Sequence, residues 1–119
     1  MAFDGPILVV RLQGRLTAAD LEGLAAEVLA LEANGTVTPP RMADLRGITE
    51  VAVGYTEIAH LADRTRARPL LAPIRSALVV TEPVQLGYAR MFQILNEHPQ
   101  ITVRIFEDES TAREWLTAD

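Results

Sequence analysis

Arg41-Met42-Ala43-Asp44-Leu45-Arg46-Gly47 reads as a short apolar strand that stops in an acid, a leucine, a base and a glycine. Pro39-Pro40 ahead of it blocks any helix from running in, and Gly47 behind it opens a loop. The expectation is a strand over 42–45 and then a loop, with Leu45 the last inward residue and Asp44 the acid that organises the turn. A buried strand that delivers charge at its carboxyl end is characteristic of α/β sheets, where ligands gather beyond the strand ends.

On the amino side, Ile7-Leu8-Val9-Val10-Arg11-Leu12 is a β-branched run between Gly5-Pro6 and Gly14, and it reads as a buried strand. Asp4-Gly5 marks a hairpin turn, which makes 1–3 a small antiparallel edge strand. Thr17 with Asp20 three positions on is a capping pair that starts a helix. Leu21, Leu24, Ala25, Val28 and Leu31 share one face of that helix, and Asn34-Gly35 stops it. On the carboxyl side, a second helix starts at Gly54 and points Tyr55, Ile58, Leu61 and Ala62 inward. It leaves Thr56, Glu57, His60, Asp63 and Arg64 to water.

After a connection over 67–73 come a strand over 74–81 and a helix over 84–98, closed by Pro99. On that helix Val84, Tyr88, Met91, Phe92, Ile94 and Leu95 cover an arc of roughly 160°, wider than the ~100° stripe that packs on a sheet. A last strand over 101–106 leads to Asp108, which caps a final helix carrying Ala112, Trp115 and Leu116. Strands alternating with helices, joined by connections too long for hairpins, predict one α/β domain over 1–119 with a mainly parallel sheet.

Composition narrows the functions. A chain of 119 residues buries roughly 65% of its unfolded surface and needs no metal or disulfide to fold. The absence of cysteine removes thiol chemistry and zinc ribbons. A net charge of −5 argues against nucleic acid. The local cluster Arg64, Arg66, Arg68 and Arg75 has Glu57 and Asp63 nearby and no interleaved aromatic, so it reads as a solvated loop. No apolar run approaches the roughly 20 residues of a membrane span. The amino terminus lacks the basic region and cleavage site of a signal peptide, so a cytoplasmic location is expected.

Taken in order, five stretches carry a resemblance. They are Leu8-Val9-Val10-Arg11-Leu12-Gln13-Gly14-Arg15-Leu16, Asp44-Leu45-Arg46-Gly47-Ile48 and Leu78-Val79-Val80-Thr81, followed by Val103-Arg104-Ile105-Phe106 and Ala112-Arg113-Glu114-Trp115-Leu116. The chain resembles the STAS domains, the family of bacterial anti-sigma factor antagonists and sulfate-transporter regulatory domains, and especially their SpoIIAA-like offshoot. The resemblance implies a SpoIIAA-like, STAS-like α/β fold: a four- to five-stranded, mostly parallel or mixed sheet with four helices. It also implies a non-catalytic regulatory or protein-interaction module. Antagonists that cycle through phosphorylation carry Asp-Ser-Ser-Gly or a close variant at the start of the second helix. Here the chain reads Val51-Ala52-Val53-Gly54-Tyr55-Thr56, with no serine between 1 and 75. The usual phosphorylatable serine is missing.

On this reading the partner-binding face is Asp44, Arg46, Thr49, Thr56, Glu57, His60 and Arg64, spanning the loop 46–53 and the outer face of the second helix. Asp44, Glu82, Glu107 and Asp108 have carboxylates suited to a hard cation, but their positions suit turns and helix starts better. His60 and His98 lack the companions of a metal site, and Ser76 and Ser110 lack those of a nucleophile. No catalytic residue, metal ligand or cofactor is therefore assigned. Leu70 and Leu71 in the connecting loop, with Tyr88, Met91, Phe92 and Leu95, are either core packing or an apolar pocket or dimer surface. A carrier of a lipid or small apolar ligand is the alternative function, and a small enzyme the third choice.

Overall fold

Along the chain run β1 (Ala2–Asp4), β2 (Ile7–Leu16), α1 (Ala18–Ala33), β3 (Arg41–Val51), α2 (Tyr55–Arg66), β4 (Ile74–Val79), α3 (Pro83–Leu95), β5 (Ile101–Phe106) and α4 (Glu109–Thr117). A computed structural model describes residues 2–33, 39–66, 73–96 and 100–118, with all their side chains but those of 29, 31–33, 62 and 64–66. The strands form one sheet in the order β1-β2-β3-β4-β5, in which β1 is antiparallel to β2 and the others run parallel. The β1–β2 hairpin turns on Gly5 at φ 59° followed by Pro6, a pair that meets the twist of the strands without strain.

The sheet separates two apolar layers. Leu45, Ile48, Leu78 and Val103 meet Leu21 of α1, Ile58 of α2 and Tyr88 and Ala89 of α3 on one side. On the other, Ile7, Val9, Met42, Ala77 and Val79 meet Ala112 and Leu116 of α4, with Phe106 and Trp115 at the margin. α1 starts on the expected reciprocal cap, in which the Thr17 amide donates to Asp20 Oδ2 at 2.9 Å and the Asp20 amide to Thr17 Oγ1 at 3.3 Å. α4 starts on Asp108, which accepts from the Thr111 amide at 2.7 Å.

β3 is longer than its sequence predicts. It does not stop at Leu45 but continues to Val51, paired with β2 up to Leu16↔Val51, while its pairing with β4 ends at Asp44↔Val79. Register shifts between Arg11 and Gln13 and between Gly14 and Arg15 each place an extra β3 residue opposite β2. These bulges bring Leu45, Ile48 and Val51, three apart in sequence, to the same side of the sheet. That spacing hides the strand from a search for period two. Gly47 sits at the first bulge, where a Cβ would lie 2.9 Å from the Leu12 carbonyl oxygen and 2.9 Å from Gln13 Cγ. Gly47→Ala is expected to cost about 1–3 kcal/mol of stability by prising β3 from β2, checked by urea unfolding.

Three helix expectations are corrected. Tyr55 points outward and is 63% exposed, because Ile58 and Leu61 alone carry the inner face of α2 among its described side chains. Ala62 has no described side chain. α3 ends at Leu95, not at 98: Asn96 has left the helix at φ −79° and ψ 100°. Its side chain bonds the Ile101 carbonyl at 3.3 Å, while 97–99, with His98 and Pro99, lie outside the described residues. The wide arc of α3 is only partly used, for Ile94 is 74% exposed and Val84 is exposed as well.

Two carbonyls on the outer edge of β5 are capped by side chains. Gln100 and Phe106 accept from β4 and its continuation at Ile74 and Val80, so the alternate residues Ile101 and Val103 turn their carbonyls outward. Asn96 Nδ2 and Gln93 Nε2 of α3 donate to those two oxygens. Among the described residues no helix is long and apolar enough to cross a membrane.

Candidate functional site

Where β4 ends, β3 continues with no strand on that side among the described residues, and the buried amide of Gln85 takes its place. Gln85, 1% exposed in the first turn of α3, donates from Nε2 to the carbonyls of Arg46 at 2.8 Å and Ile48 at 2.9 Å. Its Oε1 accepts from the amides of Thr81 at 2.9 Å and Glu82 at 3.2 Å. Both N–H bonds and both acceptor positions are therefore used. This residue joins the bulged stretch of β3 to the start of α3, and it is not among the residues singled out from sequence. The spacing Glu82-x-x-Gln85, a capping signature on an otherwise apolar helix face, is the signal that could have found it.

On the α4 side of the sheet, Asp44 is the centre of a charge network. Only 8% exposed, it accepts from Arg11 Nη1 at 2.5 Å, Arg46 Nε at 2.8 Å, Arg46 Nη2 at 3.0 Å and the Arg46 amide at 3.1 Å. Arg11 and Arg46 reach on to Glu109 at 3.1 and 3.5 Å, and Arg113 links Glu109 at 3.5 Å to Asp4 at 2.7 Å. Acids and bases alternate from β1 through α4 to β3. The side-chain bonds from Arg46 hold the Asp44 carboxyl at about 2, below its usual 3.8, against the opposing pull of burial. Asp44 is thus engaged from inside a strand, not at the turn where the sequence reading places it.

The network divides the partner-binding face expected from sequence. Asp44 and Arg46 lie on the α4 side, engaged with one another, whereas Thr56, Glu57 and His60 are exposed on α2 across the sheet. Thr49 is exposed on β3, which is strand and not loop here. Glu57 has a local task, accepting from the Gly54 amide at 2.9 Å where α2 begins. The Arg64 side chain, Arg66, Arg68, Leu70 and Leu71 fall where side chains or residues are not described. Arg75 is no part of a basic loop cluster: it sits on β4, donates to the carbonyls of Trp115 and Ala118 at 2.5 and 2.9 Å, and lies 5.5 Å from the Trp115 ring centre. Among the described residues no group of three or more acids and histidines is placed to hold a metal.

Between the sheet and α1–α3 lies a cavity of about 100 Å³. Val10, Leu12, Leu45 and Leu78 form its floor, Leu24, Val28 and Leu61 its sides, and Tyr88 and Phe92 its roof. Ser76 and Asn96 bring polar atoms to its wall. Two of the four described residues expected to make an apolar pocket or dimer surface, Tyr88 and Phe92, therefore line this cavity. Met91 and Leu95 pack on the same core without lining it. Burial pushes the Tyr88 phenol up to about 12.

No family model matches the chain, and no curated protein matches it. Among solved structures it is similar to an uncharacterised protein of the DUF3478 family from Shewanella loihica PV-4, described as having a SpoIIAA-like fold. The match has a TM-score of 0.62 at 17% identity and covers 91% of this chain and 82% of that one. A likeness at that identity speaks to architecture, and with the mixed five-stranded sheet and four helices in place the chain has a SpoIIAA-like fold.

Proposed function

We propose that this domain is a non-catalytic regulatory or protein-interaction module that binds a protein partner through the amino-terminal end and outer face of α2. The observation that carries the reading is Tyr55. It stands 63% exposed at the helix start, where the resemblance to antagonists would place a phosphorylatable serine, with Thr56, Glu57 and His60 beside it. Exposed tyrosines anchor interfaces because they bury a large, stiff surface at low entropic cost. The charge network on the other side of the sheet is left out of this contact face, since Asp44 and Glu109 are paired with Arg11 and Arg46.

Tyr55→Ser combined with His60→Ala is expected to weaken partner binding about 30-fold or more while leaving stability within about 0.5 kcal/mol of the parent. Co-purification from cell extract followed by titration of the recovered partner measures it, with Phe3→Ser as the control for an exposed aromatic elsewhere. A partner held equally by the double variant would remove α2 as the contact face. A second reading, carriage of a small apolar ligand, is favoured by the cavity between the sheet and the helices. At about 100 Å³ it suits a molecule no larger than benzene rather than an acyl chain.

A further inference from the structure

The cavity has a polar feature that core packing does not explain. Ser76 and Tyr88 are 9% and 7% exposed, and both line it. Among the described residues neither hydroxyl has a hydrogen-bond partner. Neither oxygen is sealed from water, whereas among the described residues the buried side-chain atom lacking a hydrogen bond is Arg41 Nε. A core needing only to be filled would carry alanine and phenylalanine at these positions without loss. Ser76 follows from the strand pattern: it alternates with Ile74 and Leu78 on the helix-covered side of β4, where every other inward residue is apolar. Tyr88 comes from α3 above it, one turn before Phe92.

We propose that this cavity binds a small neutral molecule of about five or six heavy atoms, mostly apolar and carrying one hydrogen-bond acceptor that the Tyr88 and Ser76 hydroxyls hold. The inference rests on the small-ligand reading and is independent of the α2 contact face. Size follows from the cavity, which is roughly two-thirds of the 150 Å³ space known to admit benzene. The choice of a neutral guest follows from the described walls, which are mainly aliphatic and aromatic. Arg41, the one charged residue among them, already has an interaction of its own, though its buried Nε makes no hydrogen bond. A buried cation would have no counter-ion among the described wall residues. The acceptor follows from Tyr88, whose phenol, held near 12, remains an O–H donor at every physiological pH. Asn96 is less available, because its Nδ2 is given to the Ile101 carbonyl.

The test uses the full chain and two probes of matched shape, cyclopentanone and cyclopentane, followed by methyl and amide NMR. Cyclopentanone is expected to shift the methyl resonances of Val10, Leu45 and Leu78 and to bind at least fivefold more tightly than cyclopentane. Tyr88→Phe and Ser76→Ala should each weaken cyclopentanone about fivefold and leave cyclopentane unchanged. Tyr88→Phe should also leave the urea midpoint unchanged or raise it, since it removes a hydroxyl that the fold does not use. Equal binding of the two probes would overturn the polar recognition and leave the small-ligand reading standing. If neither probe shifts the cavity methyls up to its solubility, both fall. A lowered midpoint for Tyr88→Phe would show the phenol serving the fold and would also overturn the inference.

Discussion

Gln85→Met is expected to lower the unfolding free energy by about 4 kcal/mol, a large share of the 5–15 kcal/mol typical of a domain. Methionine has nearly the length and flexibility of glutamine, so packing around α3 should survive the exchange. What disappears is the amide that serves the Arg46 and Ile48 carbonyls and the Thr81 and Glu82 amides. Each buried backbone group left without a partner costs about 1–3 kcal/mol. The two amides lie where α3 begins and can regain water in part, so the two β3 carbonyls should account for most of the loss. Urea unfolding followed by the fluorescence of Trp115, the one tryptophan, measures it. A change under about 1 kcal/mol would mean that water replaces the side chain and that the bulged end of β3 holds by its pairing with β2.

Asp44→Asn should be nearly as damaging, at about 2–3 kcal/mol near neutral pH, and its effect should depend on acidity. The carboxyl sits at about 2 in the folded protein against a usual value of 3.8, so folding favours the ionised form by about 2 kcal/mol. A depressed carboxyl contributes fully above its unfolded value and loses that contribution as the pH falls toward its folded one. The stability gap between parent and variant should therefore be constant above about pH 5 and shrink by about 2 kcal/mol on the way to pH 2. Arg11 and Arg46 are partly exposed and can turn to water when the acid is gone, which keeps the cost below that of breaking a fully buried pair. A gap that stays constant down to pH 2 would place the stabilisation in the shape of the side chain and not in its charge.

The elements legible in the sequence were those with a local cause. Thr17 with Asp20, Asp108, and the run from Ile7 to Val10 each declare their structure over a few residues, and the helix-strand alternation set the layers. β3 was half legible: its first part is an ordinary buried strand, but two bulges convert the rest from period two to a spacing of three. Tyr55 was misplaced because an aromatic at a helix start satisfies an inward pattern as well as an outward one. The charge network was illegible for a different reason. Asp44 meets Arg11 at 33 residues' separation and Arg46 meets Glu109 at 63, and no local pattern encodes a register between parallel strands. Ser76 was read correctly as a strand residue, yet its missing partner is visible only once α3 is folded over it.

The amides of Gln93 and Asn96 on the rim of β5 have a consequence for life at high concentration. A newly made copy that drifts against this rim finds the outward oxygens of Ile101 and Val103 already occupied, so it gains little by laying its own strand alongside. At the far rim, β1 covers only Ile7 to Val9 of β2, and Val10 to Leu16 has no strand partner on that side among the described residues. Growth of the sheet from molecule to molecule is therefore discouraged at the β5 rim, and association there is steered toward the helical surfaces, where contact is side chain to side chain and can be selective.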